Sequence, residues 1–84
     1  MKALVTGGTG FLGSALVRTL VAGGHTVRVL ARPRSDRRAL AGVAVEIVEG
    51  DLRDAASLRP AVAGVDVVFH AAGLYALWVK DEAE

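Results

Sequence analysis

The sequence predicts an α/β fold, the N-terminal half of a doubly wound parallel sheet with strand order 3-2-1-4 and helices on both faces. Three observations carry this. Apolar runs of strand length alternate with helical patterns three times along the 84 residues, with short links, as in parallel βαβ units. The first and fourth runs are nearly continuous in apolar residues, as central parallel strands are. The third alternates and carries glutamates, which suits an edge.

The elements follow in order. Residues 2–6 (KALVT) form a short apolar run that ends in a glycine cluster and reads as a buried strand. From residue 11 to 22 the pattern becomes helical, with Leu12, Leu16 and Leu20 on one face and Val17 and Val21 beside them. Gly23 and Gly24 end this helix, because glycine adopts the left-handed conformation without strain. Residues 26–31 (TVRVLA) are a second strand, which Pro33 stops, and Ser35 or Asp36 caps a short helix running to about Leu40. Residues 44–49 (AVEIVE) form the third strand. Asp54 caps a helix over 55–63, closed by Gly64, and Pro60 inside it predicts a kink or two separate turns. Residues 65–70 (VDVVFH) form the fourth strand.

Composition sets the boundaries. The chain is 52% hydrophobic and 23% charged, with a net charge of +1, which points away from a polyanionic partner. The absence of cysteine excludes disulfides, thiolate metal sites and cysteine nucleophiles. Lys2 before an apolar stretch resembles an export signal, but Gly7, Gly8, Gly10, Gly13 and Arg18 interrupt it. No stretch approaches the ~20 apolar residues that span a bilayer. The expectation is therefore a cytoplasmic protein with neither a membrane nor a nucleic acid as partner. At this length the core is small, so a weakly stable or partly molten chain is expected. The apolar fourth strand would stand at an edge of the sheet, and residues 80–84 (KDEAE) start another helical pattern. Both lead us to expect an incomplete fold, with more protein following Glu84.

The segment with chemical content is Thr6-Gly7-Gly8-Thr9-Gly10-Phe11-Leu12-Gly13. It contains Gly8-x-Gly10-x-x-Gly13 and, overlapping it, Gly7-x-x-Gly10-x-x-Gly13. A strand must turn sharply into a helix there, the backbone must approach a pyrophosphate, and the helix must pack tightly on the sheet. Glycine serves each need, and the free N–H groups of the helix N-terminus then bind phosphate. The spacing alone is weak, and a glycine-rich turn that binds nothing is the alternative; its position between the first strand and first helix gives it weight. A P-loop is excluded, because Ser14 stands where lysine is required.

With Gly50-Asp51-Leu52 closing the third strand and His70-Ala71-Ala72 closing the fourth, the chain resembles the extended short-chain dehydrogenase/reductases, the NAD-dependent epimerase/dehydratase family, over essentially its whole length. Residues 69–78 (FHAAGLYALW) are most similar to the dihydroflavonol-reductase-like group, which includes the hopanoid-associated sugar epimerases. The resemblance implies the N-terminal portion of an NAD(P)-binding Rossmann domain over residues 1–84. It implies that Gly7, Gly8, Thr9, Gly10, Phe11, Leu12 and Gly13 hold the pyrophosphate. Asp51 would accept from the adenine amino group with the Leu52 N–H near the ring, and His70, Ala71 and Ala72 would lie beside the ribose and nicotinamide. Taken singly, Asp51 also reads as a turn cap and His70 as a core histidine. Tyr75 and Trp78 read as core or as contacts to further protein.

The choice of cofactor turns on the end of the second strand, where NAD binders place an acid. Here Ala31 is followed by Arg32 and Arg34. A missing carboxylate beside a guanidinium suits a 2′-phosphate, so NADP is preferred over NAD and a flavin is disfavoured. Arg28, Arg32, Arg34, Arg37 and Arg38 form a local basic cluster, in which Arg37 and Arg38 read as a solvated face.

The family's chemistry uses a Tyr-x-x-x-Lys pair, whereas Tyr75 is followed by Lys80 at a spacing of five, so no catalytic role is carried onto them. The chain as given is expected to be inert. Three functions stay open: a portion of a reductase or epimerase that moves hydride between nicotinamide and a carbonyl or alcohol, a non-catalytic NADP-sensing module, and an assembly unit using its sheet edge. A small-molecule substrate belongs to a longer parent protein, and the resemblance allows a homodimer at full length.

Overall fold

The structure, a computed structural model, describes residues 1–71 and 75–78. Its strands are β1 (Lys2–Thr6), β2 (Thr26–Ala31), β3 (Glu46–Glu49), β4 (Val67–His70) and β5 (Tyr75–Trp78). They form one sheet in the order β3-β2-β1-β4-β5. The first four are parallel, so the 3-2-1-4 core is as the sequence predicts. The edge is not. β5 pairs antiparallel with β4, from Val67↔Trp78 to His70↔Tyr75, so β4 is not the edge strand the sequence implied. The physical reason is the link between them: residues 71–74 are too few for a parallel crossover, which needs a dozen or more.

Each face of the sheet carries one helix. Helix α1 (Phe11–Ala22) lays Val17 and Leu20 on the side formed by Ala3, Val5, Val27, Val29 and Val67. Leu40, from a single 3-10 turn at Arg38–Leu40, joins that layer. Helix α2 (Ala55–Val62) covers the opposite face, where Ala61 packs with Leu4, Leu30 and Val65. Strand side chains alternate between these two layers, as a pleat requires.

Several local expectations are corrected. The buried stripe of α1 is Gly13, Ser14, Val17 and Leu20, and Leu12 is exposed. Close packing of the first turn on the glycine loop rotates Gly13 inward, which turns Leu12 out. At the other end of α1, Gly24 rather than Gly23 takes the left-handed conformation, with φ of +87° against −81°. The short helix after Pro33 shrinks to the one 3-10 turn. Asp54 caps α2 as expected, accepting from the Ala56 N–H at 3.1 Å.

Pro60 lies inside α2 without dividing it, and the end of that helix is held from β2. Arg28, 6% exposed in mid-β2, donates from one guanidinium nitrogen to the carbonyls of Pro60, Ala61 and Ala63 at 3.1, 2.7 and 2.9 Å. It thereby satisfies the carbonyls that the end of a helix leaves open. Its Nε also donates to Glu46 at 3.0 Å. No helix among the described residues is long and apolar enough to cross a membrane.

Candidate functional site

The carboxyl ends of β1, β2, β3 and β4 open into a cleft of about 460 Å³. It lies at the point where the chain reverses direction across the sheet, between β1 and β4, which is where open α/β sheets bind ligands. Thr6, Leu30, Ala31, Gly50 and His70 form its strand-end walls.

On one side stands the turn from β1 into α1. Gly7 has φ of +76°, a region that L side chains avoid. The Gly10 N–H donates to the Gly7 carbonyl at 3.2 Å and closes the turn. A Cβ on Gly8 would sit 2.8 Å from Val29 Cγ1. One on Gly13 would collide with the Gly7 carbonyl oxygen and lie 2.8 Å from Gly8 Cα, so α1 can approach the loop only through glycine. Gly10 differs, because its nearest contact would be the Gly7 oxygen at 3.6 Å, an ordinary separation.

Gly10 also provides the N-cap of α1 without a side chain, and the first turn carries no acid. Among the described residues nothing accepts from the N–H groups of Phe11, Leu12 and Gly13. Their partial positive charges, summed with the helix dipole, make an anion seat. The side chains of Phe11 and Leu12 are 88% and 53% exposed, so these residues offer the site backbone rather than packing.

The other side is charged. Ala31 ends β2 buried and without a carboxylate, and Arg32 and Ser35 line the cleft beyond it. Across from them, Asp51 is gripped by Arg53. Oδ1 accepts from the Arg53 N–H at 2.9 Å and from its Nε at 3.1 Å, and Oδ2 accepts from Nη2 at 2.7 Å. The Arg53 side chain first, then its N–H, hold the Asp51 carboxyl well below the usual carboxylate range, and the Arg32 charge adds to this. Ser57 Oγ, from the first turn of α2, accepts from the Asp51 N–H at 3.0 Å and fixes the loop backbone.

The five-arginine cluster is therefore divided by the fold. Arg28 is buried, Arg37 pairs with Glu49 at 3.0 Å, and Arg38 pairs with Asp36 at 2.7 Å. Arg32 lines the cleft, whereas Arg34 is exposed outside the lining.

At the floor, His70 Nδ1 and Thr6 Oγ1 share a hydrogen bond of 2.6 Å. Of the residues singled out from the sequence, the cleft gathers Gly7, Thr9, Arg32, Asp51, Leu52 and His70. Gly8 and Gly13 support the turn from behind. Ala71 is buried in the α1-side core and bonds the Thr6 carbonyl through its N–H, rather than lining the cleft. Ala72 lies outside the described residues. Sequence reading did not single out Thr6, Ser35, Gly50 or Arg53 as site residues. Thr6 and Gly50 were findable, since each ends a strand beside the switch point. Ser35 and Arg53 reach the cleft from irregular segments whose path no pattern announces.

A glycine turn feeding an unpartnered helix N-terminus, at the switch point of a parallel sheet, defines a dinucleotide-binding α/β protein. Residues 3–83 match the NAD dependent epimerase/dehydratase family, and the chain belongs to it. It is 48% identical over 84 residues to sterol demethylase protein B of Methylococcus capsulatus, covering all of this chain and 26% of that protein. It is 50% identical over 78 residues to 2-alkyl-3-oxoalkanoate reductase of Stenotrophomonas maltophilia, covering 93% of this chain and 23% of the relative. Among solved structures, UDP-glucose 4-epimerase of Thermus thermophilus in complex with NAD superposes with a TM-score of 0.70 at 36% identity, over 83% of this chain and 23% of that one. The chain thus spans about a quarter of the length of these relatives.

Proposed function

We propose that the chain is the N-terminal, cofactor-holding part of an oxidoreductase or epimerase that prefers NADP, with NAD as the weaker ligand. The observation that carries this reading is the first turn of α1, whose N–H groups meet no acceptor among the described residues, behind a turn that Gly10 closes onto Gly7. A dinucleotide fits these residues. The N–H groups of Phe11, Leu12 and Gly13 would meet the pyrophosphate. Asp51 and the backbone at Leu52 would meet the adenine edge, and His70 would face the ribose toward the nicotinamide. The Asp51 carboxylate is ionised and fixed by Arg53 before any ligand arrives, so it is set to accept from an amino group.

Discrimination between the two dinucleotides rests on Ala31 and Arg32. No carboxylate stands at the end of β2 to hold a 2′-hydroxyl, and the Arg32 guanidinium beside it suits a 2′-phosphate. Arg34, exposed outside the lining, contributes long-range charge only. When bound, the dinucleotide supplies a hydride at nicotinamide C4 that is exchanged with a carbonyl or alcohol carbon. The name of the reductase relative supports that chemistry. Titration of the chain with NADPH and NADH, followed by nicotinamide fluorescence, tests the reading. Tighter NADPH binding is expected, and equal affinities would overturn the assignment to Arg32.

A further inference from the structure

Gly50, Asp51, Leu52 and Arg53 line the cleft at the end of β3, and Ser57 stands behind them, outside the lining. Asp54 is the N-cap of α2, so Ser57 is the third residue of that helix. In a capping box the side chain at this position returns to the N–H of the cap residue. Ser57 reaches past the cap. Its Oγ accepts from the Asp51 N–H at 3.0 Å, and its one hydrogen lies between the carbonyls of Asp51 and Asp54, at 3.1 and 2.8 Å. The Asp51 carbonyl also accepts from the Asp54 N–H at 2.9 Å. One hydroxyl thus holds the peptide group before the Asp51 Cα and the peptide group after it. Two rigid planes held in this way fix both backbone dihedrals of Asp51. They thereby fix the direction of its side chain and of the Leu52 N–H.

Gly50 is what admits the hydroxyl. A Cβ there would lie 3.1 Å from Ser57 Oγ, 3.3 Å from Ser57 Cβ and 2.8 Å from Leu30 Cδ1. Gly50 is not among the glycines with positive φ, so this position needs glycine for space rather than for backbone freedom.

We propose that Ser57 is a positioning residue for base recognition: acting through the Asp51 backbone, it aims the Asp51 carboxylate and the Leu52 N–H at the base as an acceptor–donor pair, and so sets a preference for an amino purine over a 6-oxo purine. This rests on the reading above, in which Asp51 and Leu52 meet the adenine edge. Adenine offers that pair an amino donor and a ring-nitrogen acceptor. A 6-oxo purine offers an oxygen to the carboxylate and an N–H to the Leu52 N–H, so both contacts turn unfavourable. The discrimination holds only while the two groups keep their mutual direction, which is what the Ser57 hydroxyl enforces.

The test compares binding of NADPH and of its hypoxanthine analogue, in which oxygen replaces the adenine amino group, to the full chain by nicotinamide fluorescence. The native chain should favour NADPH by roughly tenfold. Ser57→Ala should bring that ratio severalfold toward one, mainly by weakening NADPH, and Ser57→Thr, which keeps the hydroxyl, should restore it. A purely structural role would weaken both dinucleotides alike and leave the ratio unmoved. An unchanged ratio in Ser57→Ala would therefore overturn the proposal. Should Ser57→Ala not fold, Ser57→Cys, whose thiol is a weaker acceptor, is read in the same way. Asp51→Asn separates the two layers. If it leaves the ratio unchanged, the adenine reading of Asp51 falls and the role of Ser57 falls with it. If Asp51→Asn abolishes the preference while Ser57→Ala retains it, the adenine reading stands and the positioning role alone is overturned.

Discussion

At the β1–α1 turn the cleft is shaped by backbone meeting backbone, whereas at the ends of β2 and β3 it is shaped by long charged side chains in solvent. Gly13 admits no Cβ without collision with Gly7, and Gly8 none without pressing on Val29. Arg32, Ser35, Asp51 and Arg53, by contrast, are arranged by ion pairs and loop hydrogen bonds that ionic strength weakens. The first region is rigid and indifferent to which side chains surround it. The second is adjustable, and there a single substitution can change the charge of the cleft while the fold survives.

The largest effect expected from this contrast is at Gly13. Gly13→Ala places a carbon against immovable backbone, and a destabilisation upwards of ~3 kcal/mol should unfold so small a core. Circular dichroism in a urea titration would read it, and native-like unfolding would contradict the close approach. Gly10→Ala is the sharpening partner. Its Cβ meets only ordinary contacts, so the chain should fold while NADPH affinity drops roughly tenfold through intrusion on the anion seat.

Next in size is Arg28→Met, which leaves the carbonyls of Pro60, Ala61 and Ala63 without their donor. A loss of about 2–4 kcal/mol in the same denaturation is expected. Little of that belongs to Glu46, whose side chain is 56% exposed, so Glu46→Gln should cost far less.

Within the charged region, Arg32→Ala should weaken NADPH about tenfold and leave NADH nearly unchanged. Arg38→Ala should alter neither, because Arg38 is already engaged by Asp36. A loss of NADH as well would mean that Arg32 supports the loop rather than a 2′-phosphate.

The smallest effect concerns acid. Arg53 depresses the Asp51 carboxyl in the folded chain, so its contribution is fully present above the ordinary carboxylate value and is lost as pH falls below it. Thermal melts at about pH 6 and about pH 3 should therefore show a slightly smaller acid loss for Asp51→Asn than for the native chain. An unaltered acid loss would mean that solvent screens the pair completely.

The same contrast explains what could be read in advance. The glycine turn was legible because a steric requirement leaves one residue type as its only solution. The order of the parallel strands was legible because full burial on two faces writes a continuous apolar run. The partners of arginines were not legible, since a guanidinium on a long stem reaches any acceptor within its radius. Asp51 shows the cost: its motif announces an acceptor, and nothing in the motif announces that Arg53 already holds it. Leu12 is a smaller case: Leu16, Val17, Leu20 and Val21 of the predicted face pack on the core, and Leu12 alone is turned out, because the Gly13 contact sets the rotation of the first turn.

The sequence by itself determined the alternation of elements, the 3-2-1-4 parallel core, the turn that makes α1 an anion seat, and the lack of an acid at the end of β2. Those follow from local periodicity and from the conformations that glycine and alanine allow or deny. Only the tertiary structure decided that β5 folds back on β4, that Arg28 of β2 closes the end of α2, that Arg32 and not Arg34 reaches the cleft, and that Thr6 meets His70. Each is a contact between residues distant in the chain or at the end of a flexible side chain, and packing, rather than local preference, selects among the partners within reach.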